Sequence, residues 1–133
     1  DRTFVDERYV EEKTTMVVDW AIQRYLSKSP FQIERPDIKW VFGDATGLDA
    51  IVWNLAKKWN VEHERLRADW DRFGDIAGNV RNNEILKHEP NYLQAFPLQG
   101  SKGTWDMVMQ TAKRNKELAR IHKPQIRVDI FYA

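Results

Sequence analysis

The sequence predicts an α/β fold with a mainly parallel sheet and helices on both faces. Two observations carry that prediction. Short runs rich in β-branched and aromatic residues alternate with segments of helical period, and two of these alternations share one design: a strand, a glycine-containing turn and the start of a helix. Parallel neighbours need crossover connections of a dozen or more residues, and the intervening helices supply them.

Taken in order, apolar side chains at Val10, Val17, Val18, Ala21, Ile22 and Tyr25 form a helical stripe between about Val5 and Leu26, stopped by Ser27-Lys28-Ser29-Pro30. Phe31 to Asp37 reads as a loop and Ile38 to Phe42 as a buried strand. From Leu48 the positions Leu48, Ile51, Val52, Leu55, Ala56 and Trp59 follow the spacing of one helix face, with Thr46 and Asp49 placed as a capping box. Val61 to Arg67 reads as a strand too charged for burial on both faces, which places it at a sheet edge. Ala68 to Gly78 reads as a long loop rather than an element. A short helix from Val80 to His88, a strand from Tyr92 to Leu98, a long helix from Thr104 to about Arg120 and a strand from Gln125 to Tyr132 complete the chain.

Composition narrows the function classes. The 133 residues, 42% apolar with six tryptophans, fit a single domain over 1–133 with no internal boundary. A formal charge of +1 supplies no net field to draw in DNA, RNA or an anionic membrane, so a nucleic-acid partner is not expected. Cysteine is absent, which excludes disulfides, thiolate nucleophiles and cysteine-based metal sites. His63, His88 and His122 share no metal-ligand spacing, so no metal or other cofactor is expected. No run approaches the roughly 18 apolar residues of a membrane span and Asp1 begins no signal-peptide pattern, so a cytoplasmic location is expected.

The two strand-turn-helix units are candidate anion cradles, because a glycine turn opening a helix presents backbone N–H groups and a helix dipole to an anion. The first is Gly43-Asp44-Ala45-Thr46-Gly47, the second Pro97 through Gly100-Ser101-Lys102-Gly103-Thr104. Together they point to a phosphorylated small molecule, a nucleotide first of all. Ordinary turn and capping chemistry is the plainer role for each segment alone.

Four ordered motifs carry a family resemblance over roughly residues 38 to 112: Val41-Phe42-Gly43-Asp44-Ala45-Thr46-Gly47-Leu48-Asp49; Ala68-Asp69-Trp70 with Gly74 and Ala77-Gly78; Arg81-Asn82; and Phe96-Pro97 with Gly103-Thr104-Trp105-Asp106-Met107. On these the chain resembles the SLOG superfamily, closest to its YspA/cpYpsA-related branch and more distantly similar to the lonely-guy hydrolases and DNA-processing protein A. The resemblance implies a Rossmann-like, doubly wound fold that holds a nucleotide or nucleotide-derived ligand at its glycine turns. It departs in three places. Met107 stands where the hydrolases have a glutamate, the Pro97–Thr104 turn is two residues longer than theirs, and the family's first, central strand has no counterpart. A gap in mid-sheet leaves buried backbone groups costing about 1 to 3 kcal/mol each, so a filler is expected: Gln125 to Tyr132, a strand of another subunit, or upstream residues.

Among single residues, Arg81 matches the hydrolases' arginine and suits two-pronged phosphate binding, with a surface ion pair to Glu84 or Asp75 as its plainer role. Asn82 either orients a ribose hydroxyl or caps the short helix. Asp69 is placed to accept from ribose hydroxyls, and Trp70 either stacks on a base or plugs the core beneath its loop. Lys102 would neutralise phosphate charge, whereas Asp44 would repel it. Lys113, Arg114, Lys116, Arg120 and Lys123 form a basic helix face, read first as solvated and second as a nucleic-acid contact. The leading expectation is a module that senses or sequesters a nucleotide. The alternatives are a phosphoribohydrolase-like enzyme, with Arg81 and Asp69 or Asp106 as its catalytic groups, and a nucleic-acid-associated protein. Self-association into a homo-oligomer is expected if apolar surface lies exposed around Trp20, Tyr25 or Trp105.

Overall fold

A computed structural model of the chain describes residues 6–21, 38–43, 48–97 and 102–131. Its elements run α1 (Glu7–Ala21), β1 (Lys39–Phe42), α2 (Leu48–Lys58), β2 (Glu62–Arg65), α3 (Trp70–Phe73), a 3₁₀ turn (Gly74–Ile76), α4 (Ala77–Leu86), β3 (Tyr92–Ala95), α5 (Lys102–Arg120) and β4 (Arg127–Ile130). The fold is mixed α/β. Contacts group the chain into two compact units that divide between Arg65 and Leu66.

In the first unit Asp6 opens α1, its Oδ1 accepting from the amides of Arg8 at 3.0 Å and Tyr9 at 3.2 Å. Val10 and Thr14, one turn apart, are buried on the inner face of α1. β1 and β2 pair in parallel, Lys39 opposite Glu62 through Phe42 opposite Arg65, with α2 as the crossover. One face of the pair is aromatic: Trp40 meets Trp59 edge-on at 5.9 Å, and Phe42 stacks on His63 at 5.9 Å. The other face carries the exposed Lys39–Glu64 ion pair at 3.1 Å. Beyond α2, Asn60 takes a φ of 55° and the Val61 amide reaches back to the Ala56 carbonyl at 2.9 Å, a left-handed stop that turns the chain into β2.

The second unit repeats the plan. β3 and β4 pair in parallel, Tyr92 opposite Arg127 through Ala95 opposite Ile130, and α5 is the crossover. α5 ends as α2 does: His122 has a φ of 57° and the Lys123 amide donates to the Leu118 carbonyl at 2.9 Å. Leu86 from α4, Met107 from α5 and Ile126 form the core, with Ile85, Leu93 and Leu118 packed around them. Asn115 of α5 fastens the entry to β4, donating to the Ile126 carbonyl at 2.9 Å and accepting the Ile126 amide at 2.7 Å as a neighbouring strand would.

Among the described residues each unit holds one two-stranded parallel sheet. In the second pair Leu93, Ala95, Val128 and Ile130 alternate with Tyr92, Gln94, Arg127 and Asp129, which gives it one apolar face to bury. The structure departs from the sequence reading in one segment. The segment Ala68–Gly78 is an element rather than a loop. Asp69 accepts the Arg72 amide at 3.1 Å and so starts α3, and Gly74, at a φ of 57° that strains any side chain, ends it and opens the 3₁₀ turn.

Candidate functional site

The second unit gathers most of the described candidate residues around the start of α5. The chain leaves β3 through the buried Phe96 and Pro97 and re-enters regular structure at Lys102. A helix's first-turn amides find no acceptor inside the helix, and its dipole concentrates positive potential there. In α5 the first turn holds Lys102 and no acidic residue, the opposite of α1, α2 and α3, which place Glu7, Asp49 and Asp71 in theirs. A Cβ added at Gly103 would meet no described residue within 4 Å, so among the described residues the surface above that turn is open.

A polar network fixes this turn to α4. Asn82, 4% exposed, donates from Nδ2 to the Gly103 carbonyl at 3.0 Å and to Asp106 Oδ2 at 3.1 Å. Both neighbours are acceptors, which dictates that the amide nitrogen faces them. Asp106 Oδ2 also accepts from Gln110 Nε2 at 2.7 Å, and the same nitrogen donates to the Asn79 carbonyl at 3.1 Å. One carboxylate oxygen is thereby held by two amide groups, and the opening of α5 is tied to α4.

The expectations meet this geometry unevenly. Asn82 caps nothing: it lies in the middle of α4 and joins two helices. Trp70 is no core plug. It is 59% exposed, with its ring edge 3.8 Å from where a Gly78 Cβ would stand, one turn from Asn82 on α4. Asp69 caps α3. Arg81 is half-buried, and Glu84, its suggested ion-pair partner, bonds Lys87 at 2.8 Å. Met107 packs in the core against Leu86 and Ile126, so its side chain faces inward. Lys102 is exposed and Thr104 half-buried in the first turn of α5. Gly43, in the first unit, is buried just beyond β1, while Asp44, Thr46, Gly47, Gly100 and Ser101 lie outside the described residues, as does Tyr25.

Sequence reasoning missed Gln110 and Asn115; Asn79 enters only through its main-chain carbonyl, which no side-chain pattern marks. The signal for Gln110 was a polar pair with Asp106, one turn apart on α5. A second cluster lies on the polar face of β3 and β4, where the Tyr92 hydroxyl donates to Asp129 and Arg127 Nε stands 3.3 Å from the same carboxylate. Burial, then the bond to Asp129, raises the Tyr92 phenol above its ordinary range, and Arg127 opposes part of the shift. Among the described residues no cluster of histidine and carboxylate side chains could hold a metal ion, and no helix is long and apolar enough to cross a membrane.

No protein-family model and no solved structure matches the chain. Over 112 residues, 80% of this chain and 83% of the other, it is 32% identical to the Gene 61 protein of Mycobacterium phage D29.

Proposed function

The chain belongs to the family of the phage D29 Gene 61 protein, and for this member we propose binding of a nucleotide or nucleotide-derived ligand, sensed or sequestered at the opening of α5. The observation that carries the reading is the combination at that opening: a lysine with no acid in the first turn, an open approach over Gly103, and a turn held in place by Asn82. An anionic group there would meet backbone donors and a dipole of the right sign. Trp70 offers an exposed aromatic surface beside α4, suited to a base, and Asp106 an acceptor suited to a hydroxyl. The SLOG motifs, and the Rossmann-like doubly wound architecture they imply, belong to the same proposal. Binding without hydrolysis is favoured over phosphoribohydrolase chemistry because Met107 is a core residue and Asp106 is engaged by two amides.

The test is a thermal-shift series with a nucleotide panel, AMP and ADP-ribose included, on the wild type and Gly103→Ala, with product analysis of each mixture. At about 1 mM, a ligand with a Kd near 10 μM adds about 2.7 kcal/mol. Wild type should gain melting temperature with its ligand intact. Gly103→Ala should fold at least as well, since the new methyl group meets none of the described residues and alanine favours helix, yet lose most of the gain because that methyl occupies the ligand's approach. No shift with any nucleotide refutes the reading, and turnover abolished by Arg81→Ala converts it to the enzyme alternative.

A further inference from the structure

A second surface of α5 runs on from that site. At 100° per residue, Trp105, Met109, Lys113, Lys116 and Arg120 fall within an arc of about 80°, which Lys102 shares, and run about 22 Å along the helix. All five are exposed, Trp105 at 40% and Met109 at 68%, and Lys123, just past the helix end, is exposed as well. The arc contains no acid; Asp106 and Glu117 lie outside it, and Glu117 bonds Arg114 at 3.2 Å. Elsewhere the described cations are commonly engaged, as in Lys39 with Glu64, Lys58 with Glu11, and Lys57 and Arg65 over the Trp53 ring. Lys113, Lys116, Arg120 and Lys123 have no ion-pair partner among the described residues. With a net charge of only +1, the chain has separated its charge, not accumulated it.

We infer that this face of α5 binds single-stranded nucleic acid through its phosphates, with Trp105 and Met109 as apolar contacts for unstacked bases. A line of cations spaced about 4.5 and 6 Å along a helix axis complements a linear polyanion. The exposed aromatic and thioether add what a single strand can use and a duplex keeps stacked. Two apolar residues among four cations are too few for a membrane-seated helix, which needs a broad apolar face.

The experiment is fluorescence anisotropy of a labelled oligothymidylate, a duplex of equal length and anionic phosphatidylserine vesicles against the full chain, over a range of salt. Four phosphate contacts give a log K against log salt slope of about −2.8 for a single strand. The double variant Lys116→Ala/Arg120→Ala should lower the magnitude of that slope by about 1.4 and weaken binding at least tenfold at low salt. Both positions are solvated, so its melting temperature serves as the folding control. Absence of oligothymidylate binding at low salt, binding unchanged in the variant, equal affinity for the duplex, or binding to vesicles alone would each overturn the inference.

Discussion

Tyr92 shows how a single residue departs from what its type suggests. A tyrosine opening a strand reads as packing. Its hydroxyl instead bonds Asp129 on the polar face of β3 and β4, and burial followed by that bond raises its pKa. The folded state therefore favours the neutral phenol. Stability from this group is fully present below the unfolded tyrosine value near 10 and declines as pH rises from there toward the folded value, because the unfolded chain releases its proton first. Tyr92→Phe should cost about 1 to 2 kcal/mol near neutral pH and show a shallower loss of stability above pH 10 or so than the wild type. Urea unfolding across the alkaline range measures both, and parallel declines would contradict the assignment. At Met107 the sequence alone does not say where the side chain points. That it packs with Leu86 and Ile126 is a three-dimensional fact.

At the scale of elements, legibility followed period and length. α2 and α5 were readable because their apolar positions repeat over several turns, and β1 because Trp40, Val41 and Phe42 are strand formers in sequence. α3 was not, since four residues hold no period and its helix depends on one cap from Asp69. The left-handed stops at Asn60 and His122 were equally hidden because neither is a glycine. The coupling of α4 to α5 rests on Asn82, whose identity suggested either a ligand contact or a cap. Replacing Asn82 by alanine removes two hydrogen bonds and leaves the Gly103 carbonyl and Asp106 short of donors, a loss of about 1 to 3 kcal/mol. Denaturant midpoints for Asn82→Ala check this, and a change below about 0.5 kcal/mol would mean that packing alone holds the two helices.

For the whole molecule, the sequence foretold two strand-turn-helix alternations, and the structure contains a parallel pair with a helical crossover in each unit. Strand partners were the part sequence could not supply, because pairing is set by contacts between distant segments. The single sheet was expected from the alternation of strands with helices, which favours parallel pairing but does not say which pairs share a sheet. The candidate site was half legible. The glycine, lysine and threonine at the start of α5 stood out, as did Asn82, but Gln110 and the way the two amides hold that turn did not. Whether an anionic nucleotide group sits on the first turn of α5 is read from a ¹⁵N-correlated NMR titration of the full chain with AMP and with ADP-ribose. The largest shifts should fall on the Lys102, Gly103 and Thr104 amides and the Asn82 side-chain NH₂. Saturating ligand that moves other resonances and leaves these four unchanged, or moves none at all, would contradict it.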